Sequence, residues 1–203
     1  MNIAIIGTGN IGGALATKWA LKGHTILLGV NNQLQFKGRE LLKNQNTSVL
    51  SISEAVSTSE VILIAIPPVA IFEVLPQIYN ITGKIIIDAT NSVRQSPEPY
   101  KTVYHCLKEK TQGEVVKCFN TTGYENILNP IYQGEGIDMF MAGESDLAKQ
   151  VVSQLALDVG FGSCIDFGKS DKVELLEKFA LCWINLAIMQ GQGRDIAFKL
   201  SRR

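Results

Sequence analysis

Residues 1–13 read MNIAIIGTGNIGG, an apolar run followed at once by a glycine-rich turn. The run Ile3–Ile6 predicts a short buried strand of a parallel sheet. The segment Gly7–Gly12 has the pattern G-x-G-x-x-G, and a helical pattern continues from it to Leu21. A strand, a glycine turn and a helix in this order are the context that a dinucleotide-binding fingerprint requires. The first residues of the chain therefore predict a nucleotide site.

Each of the three glycines has its own expected role in that site. Gly7 lets the chain turn sharply out of the strand, and Gly9 leaves no side chain between the backbone and a pyrophosphate. Gly12 allows the helix to pack closely on the strand. The N-terminus of the helix then directs free N–H groups and a partial positive charge at the phosphates.

Composition favours a globular, cytoplasmic protein of one domain or one core with an appendage. The chain has 203 residues, 46% of them hydrophobic, and its 19 basic residues balance 19 acidic ones, so we expect neither a nucleic-acid nor a membrane partner. Four scattered cysteines and two histidines offer no zinc ligand set, and we expect reduced thiols and no metal site. The apolar stretch Phe179–Met189 is too short to span a bilayer, and a strand starting at Asn2 leaves no room for a signal peptide.

Strand and helix signals alternate along the chain, which predicts an α/β fold with a doubly wound, Rossmann-type, mostly parallel sheet. We expect residues 1–165 to form the nucleotide-binding domain and residues 166–203 to form a C-terminal helical extension. Predicted strands lie at about residues 3–6, 25–28, 49, 60–66, 84–88, 114–119, 140–142 and 161–165. Predicted helices lie at about residues 10–21, 53–56, 69–75, 102–111 and 147–157, and from 171 onward. A polar loop followed by a helix is expected over about residues 31–43.

Five loops are expected at the carboxyl ends of the strands, where ligands of such sheets bind. They are rich in small residues, asparagine and threonine, a composition that suits hydrogen bonds to ribose, phosphate and carboxamide groups. The loops are Gly7–Gly12, Val30–Asn32, Ile66–Val69, Ala89–Asn91 and Asn120–Gly123.

The residues after the second strand bear on the choice of coenzyme. NAD sites usually place a carboxylate there for the ribose 2′-hydroxyl, whereas this chain has Val30, Asn31 and Asn32. A 2′-phosphate would meet no repulsion, which favours NADP, although no arginine stands there to bind it. Asn31, Asn32 and the nearby Lys37 or Arg39 are the candidate substitutes, and NAD is the alternative.

The chain resembles the 8-hydroxy-5-deazaflavin:NADPH oxidoreductase family and its bacterial relatives, which are described as dinucleotide-binding enzymes. The resemblance covers nearly the whole chain. Its motifs are GTGNIGGALA from Gly7, AIPP from Ala65, KIIIDATN from Lys84, VVKCFNTTGYENILNP from Val115 and EKFALCWINLAIMQGQGRDIAFKL from Glu177. The cytosolic domain of membrane metalloreductases is also similar, but this sequence lacks their haem-bearing membrane part.

That resemblance implies hydride transfer between a nicotinamide and a deazaflavin, flavin or similar planar acceptor, without a covalent intermediate. It implies that Thr8, Gly9, Asn10 and Ile11 hold the pyrophosphate, and that Ile66 and Pro67 flank a ribose. Family members usually have Ser-Arg where this chain has Val30-Asn31. The complete set of predicted cofactor-binding residues, with no catalytic side chain named, is Gly7, Thr8, Gly9, Asn10, Ile11, Gly12, Val30, Asn31, Asn32, Lys37, Ile66, Pro67, Pro68, Thr90, Asn91, Asn120, Thr121 and Thr122.

Several features leave alternatives open. The sequence offers no histidine–carboxylate pair and no serine nucleophile, which agrees with hydride transfer but also with a non-catalytic NADP(H) sensor. Asp88 is expected to satisfy local backbone N–H groups, His105 to pack on its helix and Cys118 to lie in the core. The C-terminal helix is apolar nearly all round, so it is expected to pack on its own sheet or on a partner subunit of a homodimer.

Overall fold

The computed structural model describes residues 1–79 and 81–203. Its main feature is one mostly parallel sheet of eight strands, which confirms the predicted doubly wound α/β fold. A separate two-stranded hairpin lies outside this sheet. The strands are β1 (Asn2–Ile6), β2 (Thr25–Val30), β3 (Thr47–Ser51), β4 (Val61–Ile64), β5 (Ile85–Asp88), β6 (Glu114–Lys117), β7 (Ile131–Tyr132), β8 (Glu135–Gly136), β9 (Asp138–Gly143) and β10 (Ser163–Asp166).

The strand order is β10-β9-β6-β5-β4-β1-β2-β3, which contains the 3-2-1-4-5-6 order of a dinucleotide-binding sheet. Strands β1 to β6 are parallel, and β9 runs antiparallel to β6. Strand β10 then pairs with β9 in parallel. The order reverses between β1 and β4, so the crevice between these strands is the expected ligand position.

Seven α-helices connect and cover the strands in the described part of the chain. They are α1 (Asn10–Leu21), α2 (Ile52–Thr58), α3 (Ile71–Val74), α4 (Val103–Lys110), α5 (Tyr124–Leu128), α6 (Asp146–Val159) and α7 (Val173–Ile184). A π-helical turn, Asn185–Met189, continues α7. Shorter 3₁₀ turns lie at Arg39–Lys43, Pro68–Ala70, Leu75–Gln77 and Ser170–Lys172. No helix in the described residues combines the length and the apolar character needed to cross a membrane.

Three local predictions needed correction. Over 31–43, where a polar loop and a helix are expected, the loop is present and the helix is only the 3₁₀ turn Arg39–Lys43. Gly38 adopts φ 93° before this turn, and the Asn32 side-chain oxygen accepts the N–H groups of Leu34 and Gln35 in the loop. Helix α5 and the β7–β8 hairpin had no counterpart in the sequence prediction. Helix α2, expected at 53–56, covers Ile52–Thr58, and its N-cap Ser51 forms a capping box with Glu54.

Two apolar clusters fill the two faces of the sheet. In one, Trp19 of α1 is fully buried, stacks edge-on against Phe119 and donates its indole N–H to the Leu155 carbonyl oxygen at 2.9 Å. Cys118 is buried in the same cluster, as expected. His105 lies half-buried with Nδ1 2.8 Å from the Thr102 hydroxyl at the start of α4, so it serves that helix end.

Helix α7 packs one face on the sheet and leaves the other face open. Its buried residues include Leu176, Ala180 and Trp183, whereas Leu175 and Leu181 are exposed. The segment that follows folds back over it: Phe198 stacks on Phe179, and the Trp183 indole N–H donates to the Ile196 carbonyl oxygen at 2.6 Å. Packing on its own sheet therefore accounts for only one side of this helix.

Candidate functional site

Five of the central strands end at one edge of the sheet, in register. Ile6 of β1 pairs with Gly29 of β2 and with Ile64 of β4. Ile64 pairs with Asp88 of β5, and Asp88 pairs with Lys117 of β6. The loops that follow these strands contain almost all of the predicted cofactor-binding residues, so the structure brings them to one crevice.

The glycine turn after β1 has the close approaches that the sequence predicts. Gly7 adopts φ 101°, and a Cβ there would lie 2.3 Å from the Ala65 carbonyl oxygen. A Cβ on Gly12 would lie 1.9 Å from the Gly7 carbonyl oxygen, so only glycine lets α1 approach the strand this closely. Gly9 differs, because a Cβ there would meet no atom within 4 Å. The space above Gly9 is therefore open.

Helix α1 begins in this open space without a side-chain cap. Gly9 is the N-cap residue, and neither a capping side chain nor an acidic residue of the first turn covers the helix end within the described residues. The hydroxyl of Thr8 donates to the Lys37 carbonyl oxygen instead. The N–H groups of the first turn therefore keep the partial positive charge that favours a phosphate.

The predicted residues of the loop after β2 differ in burial and in their hydrogen-bond partners. Val30 is buried at the strand end, and Asn31 is exposed with its side-chain oxygen 3.3 Å from Nε2 of Gln77. Asn32 uses its side-chain oxygen to shape its own turn. Arg39 donates to the Leu34 carbonyl oxygen at 2.6 Å. Asn32 and Arg39 thus form hydrogen bonds within their own loop, whereas Asn31 stands directly after β2 with an exposed side chain.

Lys37 stands on the other side of the glycine turn. It is exposed and lines a cavity of about 220 Å³ that also has Thr8, Gly9 and Asn10 in its wall. A Cβ on Gly38 would lie 2.8 Å from the Thr8 carbonyl oxygen, which shows how closely this loop approaches the turn. Lys37 therefore adds a positive charge beside the start of α1, and Glu40, in the wall of the same cavity, adds a negative one.

The loops after β5 and β6 are fastened to each other by two asparagines. Asn91 donates its side-chain N–H to the Asn120 carbonyl oxygen at 2.8 Å, and Asn120 donates to the Asn91 side-chain oxygen at 3.0 Å. The Asn120 side-chain oxygen and the Thr90 hydroxyl are buried and have no hydrogen-bond partner among the described residues. Buried polar atoms normally have a hydrogen-bond partner, so these two atoms leave one acceptor position and one hydroxyl position unfilled within the protein.

The remaining predicted residues have mainly structural contacts. Thr121 directs its hydroxyl at Met139 Sδ, 3.5 Å away, and the Thr122 hydroxyl accepts from Asn126 at 2.7 Å. Ile66 lies against Gly7, since a Cβ on that glycine would come within 2.9 Å of its side chain. Pro67 and Pro68 follow it and lead into the 3₁₀ turn Pro68–Ala70.

Beneath the Thr90–Asn91 loop lies a fully buried ionic network that the sequence analysis missed. The Lys117 ammonium donates to Asp88 Oδ2 at 2.9 Å, to the Thr90 carbonyl oxygen at 2.6 Å and to Glu177 Oε1 at 2.5 Å. Asp88 Oδ1 accepts the Thr90 N–H at 2.9 Å, and Glu177 Oε2 accepts the Ser92 N–H at 2.8 Å. Asp88 therefore serves the local backbone, as expected, and also binds a buried cation.

Within this network, Glu177 has a raised pKa. Burial raises the pKa of Glu177, and the nearby Asp88 charge acts in the same direction, whereas Lys117 opposes the shift. A signal for the network existed in the sequence: Lys117 interrupts the apolar run 114–119, and Asp88 ends the apolar run 84–88. The third member, on a helix 60 residues after Lys117, could not be paired without the fold.

A partly apolar cavity of about 410 Å³ adjoins the asparagine pair. It lies between the turn after β4 and the end of α7, and Asn91 forms part of its wall. The other residues that line it are Pro68, Val93, Arg94, Gln95, Ile184 and Ile188. Within the described residues, no group of three histidine, cysteine, aspartate or glutamate side chains could hold a metal ion.

Comparison with known proteins agrees with this geometry. The family described as NADP oxidoreductase coenzyme F420-dependent matches residues 2–92. The matched stretch runs from β1 through β5 to the Thr90–Asn91 loop, so it contains the glycine turn and the first part of the crevice.

Solved structures extend the likeness in fold to the whole chain. A proposed F420-dependent NADP-reductase from Arthrobacter sp. FB24 is 22% identical, with a TM-score of 0.86 and 100% of both chains covered. A hypothetical protein from Sinorhizobium meliloti is 20% identical, with a TM-score of 0.73 over 100% of this chain and 96% of that one. A reductive aminase from Aspergillus terreus, solved with NADPH and ethyl levulinate, is 20% identical, with a TM-score of 0.68 over 94% of this chain and 62% of that one.

Proposed function

We propose that this protein binds NADP(H) along the carboxyl edge of its sheet and transfers a hydride between the nicotinamide and a planar acceptor such as a deazaflavin or flavin. The observation that carries the proposal is the uncapped start of α1 beneath the open space at Gly9. The family match of residues 2–92 and the NADPH-bound neighbours of the same fold support the choice of coenzyme.

The residues present fit the phosphate part of such a coenzyme. The backbone N–H groups of Asn10 and Ile11, at the start of α1, would hold the pyrophosphate, and Gly9 leaves them accessible. Asn31 would face the adenosine ribose or its 2′-phosphate. Lys37 adds a nearby positive charge, and the described residues of the loop after β2 place no carboxylate against a 2′-phosphate.

The residues also fit a carboxamide at the far end of the crevice. The unpartnered Asn120 side-chain oxygen can accept an amide N–H, and the unpartnered Thr90 hydroxyl can donate to an amide oxygen. The mutual hydrogen bonds between Asn91 and Asn120 fix both loops before any ligand arrives. Such preorganisation lowers the cost of ordering the site on binding.

A bound nicotinamide coenzyme supplies reversible hydride donation, in which one hydride (two electrons and one proton) passes to the acceptor and the ring gains one positive charge. The chain itself supplies position and shelter from water. The apolar side chains of Val93, Ile184 and Ile188 would cover one side of a flat acceptor next to Asn91. Arg94, exposed at the same cavity, offers a cation to an anionic substituent of the acceptor.

The coenzyme part of the proposal is tested by calorimetric titration with NADPH, NADP⁺ and NADH. We expect binding of both phosphorylated forms, and weaker binding of NADH. Flat titrations for all three coenzymes would refute the proposal.

The acceptor part is tested by following loss of the reduced-nicotinamide absorbance with a panel of deazaflavin, flavin and quinone acceptors. We expect Ile188→Ser to raise the KM for the acceptor without changing the NADPH dissociation constant. Ile131→Ser is the matched control, because both isoleucines are 48% exposed and Ile131 lies outside the cavity. NADPH binding without turnover of any acceptor would favour the sensor function instead.

We further propose that residues 166–203 form an extension of the nucleotide-binding domain 1–165 and that its open face joins two copies of this chain. Leu175, Leu181 and Met189 are exposed on α7 and its π-helical turn. A second copy would bury the same residues on both subunits, as a two-fold interface requires. Light scattering after gel filtration should give twice the monomer mass, and a Leu181→Glu variant should be monomeric; a monomeric wild-type protein would contradict this proposal.

A further inference from the structure

With Lys117 protonated and both carboxylates ionised, the Lys117–Asp88–Glu177 network carries one surplus negative charge. All three ammonium protons of Lys117 are used by Asp88, Glu177 and the Thr90 carbonyl oxygen. All four carboxylate oxygens accept a hydrogen bond, two from Lys117 and two from backbone N–H groups. No carboxylate oxygen can therefore take a proton without losing an acceptor contact. This geometry favours one ammonium and two carboxylates, with a net charge of −1.

Little of this network is exposed to water, although Glu177 lies in the wall of a cavity of about 360 Å³. The side chains of Lys117 and Asp88 are fully buried, and the Glu177 side chain is 6% exposed. Salt and water screen buried charges much less than exposed ones, so the surplus charge acts over a longer distance than a surface carboxylate would.

The charge lies directly under the loop that the coenzyme site uses. Lys117 and Asp88 together hold the carbonyl oxygen and the N–H group of Thr90, and Glu177 holds the N–H group of Ser92. Asn91 lies between Thr90 and Ser92 in the chain, and its side chain forms hydrogen bonds with Asn120 of the loop after β6. Every contact of the network thus ends on the backbone of the Thr90–Ser92 segment or on another member of the network.

Stability alone does not account for such a network. Replacing a buried ionic cluster by well-packed apolar side chains is often neutral or stabilising, because the desolvation of the charges is expensive. We propose that this network is an electrostatic device that stabilises the oxidised nicotinamide coenzyme relative to the reduced one, with Glu177 and Asp88 as positioning residues that do not touch it. The inference rests on the proposed function, which places the nicotinamide at Thr90, Asn91 and Asn120.

The physical reason is the charge difference between the two forms of the coenzyme. The oxidised ring bears one positive charge and the reduced ring is neutral, so a fixed negative charge nearby lowers the energy of the oxidised form only. A unit charge that acts across about 10 Å through an effective dielectric constant of about 20 changes an equilibrium constant by roughly tenfold. The same preference favours donation of the hydride over its recapture.

The test compares NADP⁺ and NADPH affinities by calorimetry in the wild-type protein and three variants. Glu177→Gln and Asp88→Asn each remove one negative charge from a different element, α7 and β5. Glu174→Gln is the matched control, because Glu174 lies on the same helix, pairs with Lys101 at 3.1 Å and is 42% exposed. The ratio of the NADP⁺ to the NADPH dissociation constant should rise by about three- to tenfold in both network variants and stay unchanged in the control.

The ratio separates an electrostatic role from a structural one. A loop that is only misplaced weakens both forms equally, so an unchanged ratio in the two network variants would overturn the inference, whether or not both affinities fall. If Glu177 is protonated in the protein, Glu177→Gln removes no charge and leaves the ratio unchanged, and that result alone would overturn the inference as well. Wild-type protein that binds neither form would instead refute the proposed function.

A second measurement needs no variant. Wild-type protein should bind NADP⁺ at least as tightly as NADPH, and NADPH bound more than about tenfold tighter would overturn the inference even if the network variants fail to fold.

Discussion

Two glycines of the first turn should respond in opposite ways to added side chains. Gly9 has φ −75° and ψ −159°, an extended conformation that any residue adopts, and a Cβ there meets no atom within 4 Å. Gly9→Val should therefore fold normally and lose coenzyme binding. Gly12 has the reverse properties, because its Cβ would lie 1.9 Å from the Gly7 carbonyl oxygen. Gly12→Ala should therefore damage the fold itself.

The sizes of both effects follow from the structure. Gly9→Ala should change the free energy of unfolding by less than about 1 kcal/mol, because alanine restricts the unfolded chain but is a poorer N-cap residue than glycine. A valine over the start of α1 should prevent at least one charge-assisted hydrogen bond to the phosphates, which costs roughly 1.5–3 kcal/mol, or about 10- to 150-fold in affinity. Gly12→Ala must move α1 away from β1, an overpacking that costs about 1–3 kcal/mol or more.

The assay combines thermal unfolding with calorimetric titration of NADPH on the same preparations. We expect Gly9→Val to melt within about 2 °C of the wild-type protein, since about 0.5 kcal/mol shifts the melting temperature of a chain this long by about that much at most. Gly12→Ala should melt several degrees lower. NADPH affinity retained within twofold by Gly9→Val would show that no phosphate lies above Gly9, and the site assignment would then be wrong.

Three further predictions concern the network, the coenzyme and alkaline pH. Lys117→Met should lower the free energy of unfolding by about 3–5 kcal/mol, because it leaves two buried carboxylates without a cation. Lys101→Met, which breaks an exposed ion pair, should change it by less than about 1 kcal/mol. Equal chemical denaturation curves for the two variants would contradict this prediction. Asn31→Arg should raise the preference for NADPH over NADH by about 10- to 100-fold through a charge-assisted contact, and an unchanged ratio in calorimetry would show that the 2′-phosphate lies elsewhere. Burial raises the pKa of Tyr104 to about 12, whereas tyrosine in an unfolded chain titrates near 10. The proton is thus held more tightly in the folded state, so this contribution to stability is complete below about pH 10 and is lost between about pH 10 and 12. Tyr104→Phe should reduce that decline in thermal melts across the range, and an identical decline would contradict the assignment.

The fold was predictable because its signals are local and repeated. The apolar runs around Ile3–Ile6, 60–66 and 84–88 each correspond to a central strand of the sheet, and the glycine turn fixed the helix that follows β1. The start and the end of α1 agree with the prediction at Asn10 and Leu21. Short elements were missed because they contain too few residues to show a hydrophobic period. Helix α5 has five residues, and β7 and β8 have two each.

The site was predictable only in part. Position at the end of a strand was enough to bring Gly9, Asn91 and Asn120 to one crevice. The engagement of Asn32 with its own turn, and of Thr122 with Asn126, depends on the path of the loop and is absent from any motif. The contact between Lys117 and Glu177 joins β6 to α7 across the core, and a sequence alone does not specify which distant carboxylate meets a buried lysine.

Neutral and charged groups lie in different layers of the proposed site. The residues that would contact the nicotinamide end of the coenzyme are amides and hydroxyls, which recognise shape and do not titrate near neutral pH. The charges lie one layer below, where Lys117 neutralises only one of two carboxylates and the backbone of the Thr90–Ser92 segment takes the remaining hydrogen bonds. A charge placed in the crevice itself would be screened by solvent before the coenzyme binds. A charge held beneath the loop is already desolvated in the folded protein, so it would act on a bound nicotinamide ring with little screening.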